Sequence, residues 1–130
     1  MHIEANAKQS PGQALIIKGP QGTGKTILAM EIAAKSGDHT TIDYEAFCNR
    51  KDLNRAMASG VTTVIVDDVP EMDRHIATLK ALISEPTVRV NVKYHEPTTI
   101  RTPNFIFCTC SINPINLDMA DRMFRVIDLF

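Results

Sequence analysis

Between residues 19 and 26 the chain reads Gly19-Pro20-Gln21-Gly22-Thr23-Gly24-Lys25-Thr26, a match to G-x-x-x-x-G-K-[ST]. This string constrains the fold more than any other, because it functions only between a strand and a helix. The apolar run Ala14-Leu15-Ile16-Ile17 precedes it and reads as a short buried strand. Ile27 to Ala34 follows it, helix-forming and apolar on one side. Glycines let backbone wrap around an anion, so that several N–H groups and the next helix's N-terminus point inward. The segment is therefore expected to cradle the phosphates of a nucleoside triphosphate. Lys25 would reach the β- and γ-phosphates, and the Thr26 hydroxyl would bind Mg²⁺. The plain alternative is an ordinary turn between strand and helix.

The rest of the chain alternates strands and helices, which implies an α/β fold: a mainly parallel central sheet with flanking helices. After a cap at Gly37, Thr40 to Tyr44 has strand character. Glu45 to Ser59 reads as one helix carrying Phe47, Leu53, Ala56 and Met57, closed by Gly60. Val61 to Val66 is a β-branched run expected of a central strand covered on both faces. An amphipathic helix is predicted over Asp73 to Glu85. Val88 to Tyr94 alternates apolar and polar residues, and Glu96 to Thr99 would turn it back into Ile100-Arg101-Thr102, giving an inserted β-hairpin. Phe105 to Cys110 reads as another buried strand, Asn116 to Arg122 as a short helix and Val126 to Phe130 as a last strand. Residues 1–13 form an N-terminal arm, and 14–130 a single phosphate-loop domain.

Composition narrows the function. Hydrophobic content of 44% and charged content of 22% are those of a globular protein. No apolar run approaches the ~18 residues of a membrane span, and Met1 to Asn6 lacks a signal pattern. These features point to the cytoplasm, or a host cell's interior, and to no membrane partner. The net charge of −1 argues against a broad grip on duplex DNA, so any nucleic-acid contact should rest on a few local charges. The cysteines number three; Cys108 and Cys110 would share one side of a strand and are expected to be small buried core residues. His2, His39 and His75 suggest no chemical role.

Thr63-Val64-Ile65-Val66-Asp67-Asp68 is an apolar strand ending in two acids. Such a strand is expected beside the phosphate loop, at the carboxyl ends of the sheet where ligands bind. Asp67 would hold Mg²⁺ or one of its waters, and Asp68 would orient or deprotonate an attacking water. A turn or capping pair ahead of Pro70 is the alternative.

With these motifs in place, the chain resembles the ATPase core of superfamily 3 helicases, a branch of the AAA+ family found in small DNA viruses, phages and mobile elements. The phosphate loop and acidic strand are only about forty residues apart, which is usual for that branch. Arg89 to His95 and its returning strand resemble the hairpin these helicases push into a central channel. Pro103 to Asn113 resembles the strand that ends in a polar sensor residue, and Asp121-Arg122-Met123-Phe124-Arg125 the segment that supplies an arginine finger. The similarity covers about residues 14–130.

The resemblance implies an AAA+-like, ATP-hydrolysing motor using ATP and Mg²⁺. It would be a homo-oligomer, most simply a hexameric ring, with ATP bound between subunits, moving on single-stranded nucleic acid, DNA ahead of RNA. Lys93 and His95 would grip the strand at the hairpin tip, although a solvated turn fits the same residues. Arg122 would reach a neighbouring subunit's nucleotide; its alternative is a helical pair with Asp118, and Arg125 is a second candidate. The family pattern Thr-Ser-Asn is replaced here by Thr109-Cys110-Ser111, with Asn113 later; Ser111 holds the sensor spacing, and Asn113 could swing in. The family's usual flanking oligomerisation and origin-binding segments have no counterpart in the 130 residues. That leaves room for a replication partner protein, and for a second function: a nucleotide-dependent switch or adaptor that unwinds nothing. A small-molecule kinase fits less well, because no arginine-rich lid follows the hairpin.

Overall fold

The computed structural model describes residues 14–70, 76–112 and 124–130. Its framework is a five-stranded sheet in the order β2-β3-β6-β1-β7. These strands are β1 (Ala14–Lys18), β2 (His39–Asp43), β3 (Thr63–Asp67), β6 (Asn104–Thr109) and β7 (Phe124–Asp128). All four pairings are parallel, with Leu15 opposite Ile106, Val64 opposite Phe105, Thr40 opposite Val64 and Ile16 opposite Val126. The expected mainly parallel α/β architecture is therefore what the chain adopts.

Side-chain alternation along each strand divides the core in two. One face presents Ile16, Val64, Val66, Phe105, Phe107 and Phe124. It is covered by α2 (Tyr44–Cys48), α3 (Arg50–Ala58) and α4 (Ile76–Ser84). The other presents Leu15, Ile17, Ile65, Ile106, Cys108 and Ile127 to α1 (Lys25–Ala34), through Ala29, Ile32 and Ala33. Coverage on both faces explains why β1, β3 and β6 are almost wholly apolar. Phe47 from α2 packs edge-on against Phe105 and Phe107, at ring separations of 6.0 and 5.4 Å. Such pairs contribute about 0.5–1.5 kcal/mol each beyond the area they bury.

The last strand, expected over 126–130, runs from Phe124 to Asp128, and two further differences from the sequence expectation have local reasons. The helix expected over 45–59 is two helices, because Asn49 takes an extended conformation (φ −95°, ψ 116°). Its side chain accepts hydrogen bonds from the Lys51 and Asp52 N–H groups at 3.0 and 3.2 Å, starting a new helix. The strand expected over 88–94 pairs only as β4 (Thr87–Val90), antiparallel to β5 (Thr98–Arg101). Beyond Val90 the chain enters a turn in which the His95 N–H donates to the Val92 carbonyl at 2.9 Å. The helix expected over 116–122 and the arm over 1–13 lie outside the described residues. No described helix is long and apolar enough to cross a membrane.

Candidate functional site at the carboxyl edge of the sheet

β1 delivers the chain into the glycine-rich loop at the carboxyl edge. The Gly19 N–H donates to the Thr109 carbonyl at 3.1 Å, pinning the loop to the end of β6. A Cβ on Gly19 would lie 2.8 Å from the Leu129 Cβ, so only glycine lets the last segment pass this closely. Gly22 and Gly24 have φ of +85° and +79°, the left-handed region that side-chain-bearing residues avoid. Thr23 braces the loop by donating to the Pro20 carbonyl at 2.7 Å. Gly24 caps α1 without a side chain, so the first-turn N–H groups are left for an external acceptor. A loop of this shape, ending at a positive helix end, suits an anion.

Lys25 folds back over the loop. Its Nζ donates to the Gly19 and Pro20 carbonyls at 3.0 and 2.9 Å and stands 3.5 Å from the Cys110 Sγ. The Thr26 hydroxyl donates to Asp67 Oδ1 at 2.8 Å. That contact joins the helix after the loop to the acidic end of β3. The acidic end of β3 is expected beside the phosphate loop and reaches it there, although β6 lies between β1 and β3 in the sheet. Thr26 and Asp67 meet across that intervening strand. Two hard oxygen donors side by side are what Mg²⁺ uses when phosphate oxygens and water complete its shell. Among the described residues no three His, Cys, Asp or Glu side chains gather into a metal-binding group of their own.

Asp68 is exposed, with φ +54°, a conformation aspartate tolerates. The turn there sends the chain back to β6: the Val69 N–H donates to the Cys108 carbonyl at 3.0 Å, and Thr109 Oγ1 donates to the Val69 carbonyl. Thr109 thus faces away from the loop, and its hydroxyl also accepts from the Ser111 N–H at 3.0 Å.

The residue that meets Lys25 just past the end of β6 is Cys110, which alternation along the strand places in the core. Cys108 is buried as expected, but Cys110 is exposed, because β6 ends at Thr109 and Cys110 projects past it. The alternation already put both thiols on one side; the strand's end was the missing piece. Burial, followed by the Asp67 carboxylate, pushes the Cys108 thiol up to about 12. Lys18 ties the neighbouring strands together, donating to the Ile112 carbonyl at 2.9 Å and pairing with Asp128 at 3.5 Å.

Gly19 to Thr26, Asp67 and Asp68 are therefore gathered at one edge. Lys93 and His95 lie exposed on the turn of the two-stranded sheet instead. Asn113 and Arg122 lie outside the described residues. A cavity of about 490 Å³, lined in part by Met57, Thr62, Ile83, Ile100 and Asn104, opens at the amino ends of β3 and β6. In parallel sheets ligands bind at the carboxyl ends, so the loop edge and not this cavity is the candidate site.

The same fold occurs in solved structures. The NrS-1 C-terminal region superposes with a TM-score of 0.73 at 25% identity, over 94% of this chain and 30% of that one. An A form of that region gives 0.69 and 25%, over 93% and 30%. JCV helicase gives 0.63 at 21% identity, over 91% of this chain and 36% of that one, a likeness of fold alone. The chain thus spans about a third of these structures. No curated protein matches its sequence significantly. Residues 17–123 match the family of unknown function DUF5906, and the chain belongs to that family.

Proposed function

We propose that this chain is the ATPase core of a motor: it binds ATP and Mg²⁺ at the loop edge, hydrolyses ATP and acts on single-stranded nucleic acid as a ring-forming helicase or translocase. The observation that carries the reading is the Thr26–Asp67 contact at 2.8 Å, which joins the phosphate-loop hydroxyl to the acid-tipped strand. The likeness to the JCV helicase fold supports the same direction. Mg²⁺ held there would neutralise charge on the phosphates. Lys25 would exchange its loop carbonyls for phosphate oxygens, a stronger charge-assisted partner. Asp68 would orient or deprotonate the attacking water. Arg122, from a neighbouring subunit, would complete the charge balance, and Asn113 or Ser111 would report on the γ-phosphate. Lys93 and His95 would follow the strand.

The net charge of −1 keeps the second reading alive, a nucleotide-dependent switch or adaptor that binds a protein partner. The two separate on one experiment: ATP hydrolysis measured with and without single-stranded DNA or RNA. Acceleration by the strand supports the motor. Hydrolysis indifferent to it supports the switch, and no hydrolysis in any assembled state removes both.

A further inference from the structure

Tyr94 is 91% exposed, and of the large apolar side chains exposed among the described residues it alone lies on the hairpin. Its backbone has φ +68°, at a turn position that ordinarily takes glycine or asparagine. A bulky residue is strained there, and strain retained beside an exposed ring points to use of the ring. Lys93 Nζ stands 5.1 Å from the ring centroid, on one face. From Thr87 to Arg101 the chain carries Arg89, Lys93 and Arg101 against the single carboxylate Glu96, whereas the whole chain has 14 basic and 15 acidic residues. Arg89 and Arg101 are exposed on the hairpin strands.

An exposed π-face with cations beside it fits a flat, electron-rich group carried on a polyanion. An unpaired base on a sugar–phosphate strand is such a group; a base inside a duplex has no free face to offer. A membrane-inserting tip would need several apolar side chains, and here the exposed polar residues Asn91, His95 and Glu96 lie near the one ring in sequence. We infer that the Tyr94 ring is a stacking platform for an unpaired base, with Lys93 and His95 taking the adjacent phosphates. The inference rests on the nucleic-acid half of the proposed function and needs no nucleotide at the loop.

The chain has two tyrosines and no tryptophan, so Tyr94→Trp creates a single fluorescent reporter. The protein is titrated, without ATP, with oligo(dT) of about 12 nucleotides and with an abasic strand of equal length. Stacking predicts quenching by oligo(dT), and weaker binding without quenching by the abasic strand. Tyr94→Phe should bind like the native chain. Tyr94→Gly should bind oligo(dT) about 5- to 100-fold more weakly, while its Tm is unchanged or higher because the strained turn is relieved. Equal affinity for both strands, or unchanged binding by Tyr94→Gly, overturns the platform and leaves only phosphate contacts. Binding of neither strand at low salt overturns it together with the nucleic-acid half of the function, while ATP binding by the native chain would still stand.

Discussion

Lys25 and Lys93 occupy a glycine-rich turn on the five-stranded sheet and a glycine-free turn on the two-stranded one, and they are held in opposite ways. Lys25 is half-buried and directs its ammonium at two backbone carbonyls and a sulfur. A hydrogen bond to a charged group contributes about 1.5–3 kcal/mol. Lys93 is exposed and stands over one aromatic face, an arrangement worth about 0.5–1 kcal/mol in water. Beneath the loop run β1, β3 and β6, buried on both faces; the turn at Lys93 has only the four-residue strands β4 and β5 under it. On the proposed function, the difference would separate a site built for positioning, where sub-ångström geometry decides chemistry, from a contact surface that adapts to a passing partner.

If that division is correct, variants at one region should leave the other's ligand untouched. The largest effect is expected from Arg122→Ala, which should cut turnover by about 10³-fold or more while ATP affinity and strand binding stay as they were. Phosphate release at high protein concentration checks this; unchanged turnover there would exclude a finger acting between subunits. Next comes Asp67→Asn. It should lower the Mg²⁺ affinity of the ATP complex by at least about tenfold, read from Mg²⁺ titrations, with oligo(dT) binding unmoved. A parallel loss of oligo(dT) binding would show that the regions are coupled.

A smaller effect is expected from Lys93→Ala: strand binding weakens several-fold, and the slope of log K against log salt falls by about 0.7, one phosphate's share. Basal hydrolysis should persist. The subtlest test uses the thiols. Native Cys110 and Cys48 should alkylate while Cys108 does not, and ATP should slow Cys110 alone. Cys108 also predicts a pH window. Its thiol keeps its proton to about 12 when folded, against an ordinary 9.0, so above pH 9 the unfolded chain loses that proton first. The stability tied to this group is complete below pH 9 and is lost as pH rises toward 12, an effect on the order of a few kcal/mol. Cys108→Ala should flatten that part of a stability–pH curve.

How much of this was legible in the sequence follows from which forces are local. The loop was legible because its glycines and its flanking strand and helix are fixed by nearby residues. Both faces of the sheet were legible from β-branched and apolar runs. The strand order was not: β6 enters between β1 and β3 from far along the chain, the Thr109–Val69 contact spanning 40 residues, and nothing local announces it. The break at Asn49 was readable in principle, since an asparagine ahead of Arg50-Lys51-Asp52 is a capping signal, but helical propensity on both sides concealed it. Cys110 was misjudged because alternation gives a residue's side and not where the strand stops.

The central claim is that residues 19–26 enclose a polyphosphate whose metal Asp67 helps to hold. Calorimetric titration of ATP–Mg²⁺ into the native chain and Lys25→Ala tests it most directly. The account predicts binding by the native chain that Lys25→Ala weakens by at least about a hundredfold, with its circular dichroism unchanged. Undiminished binding by that variant, or none by the native chain, would contradict it.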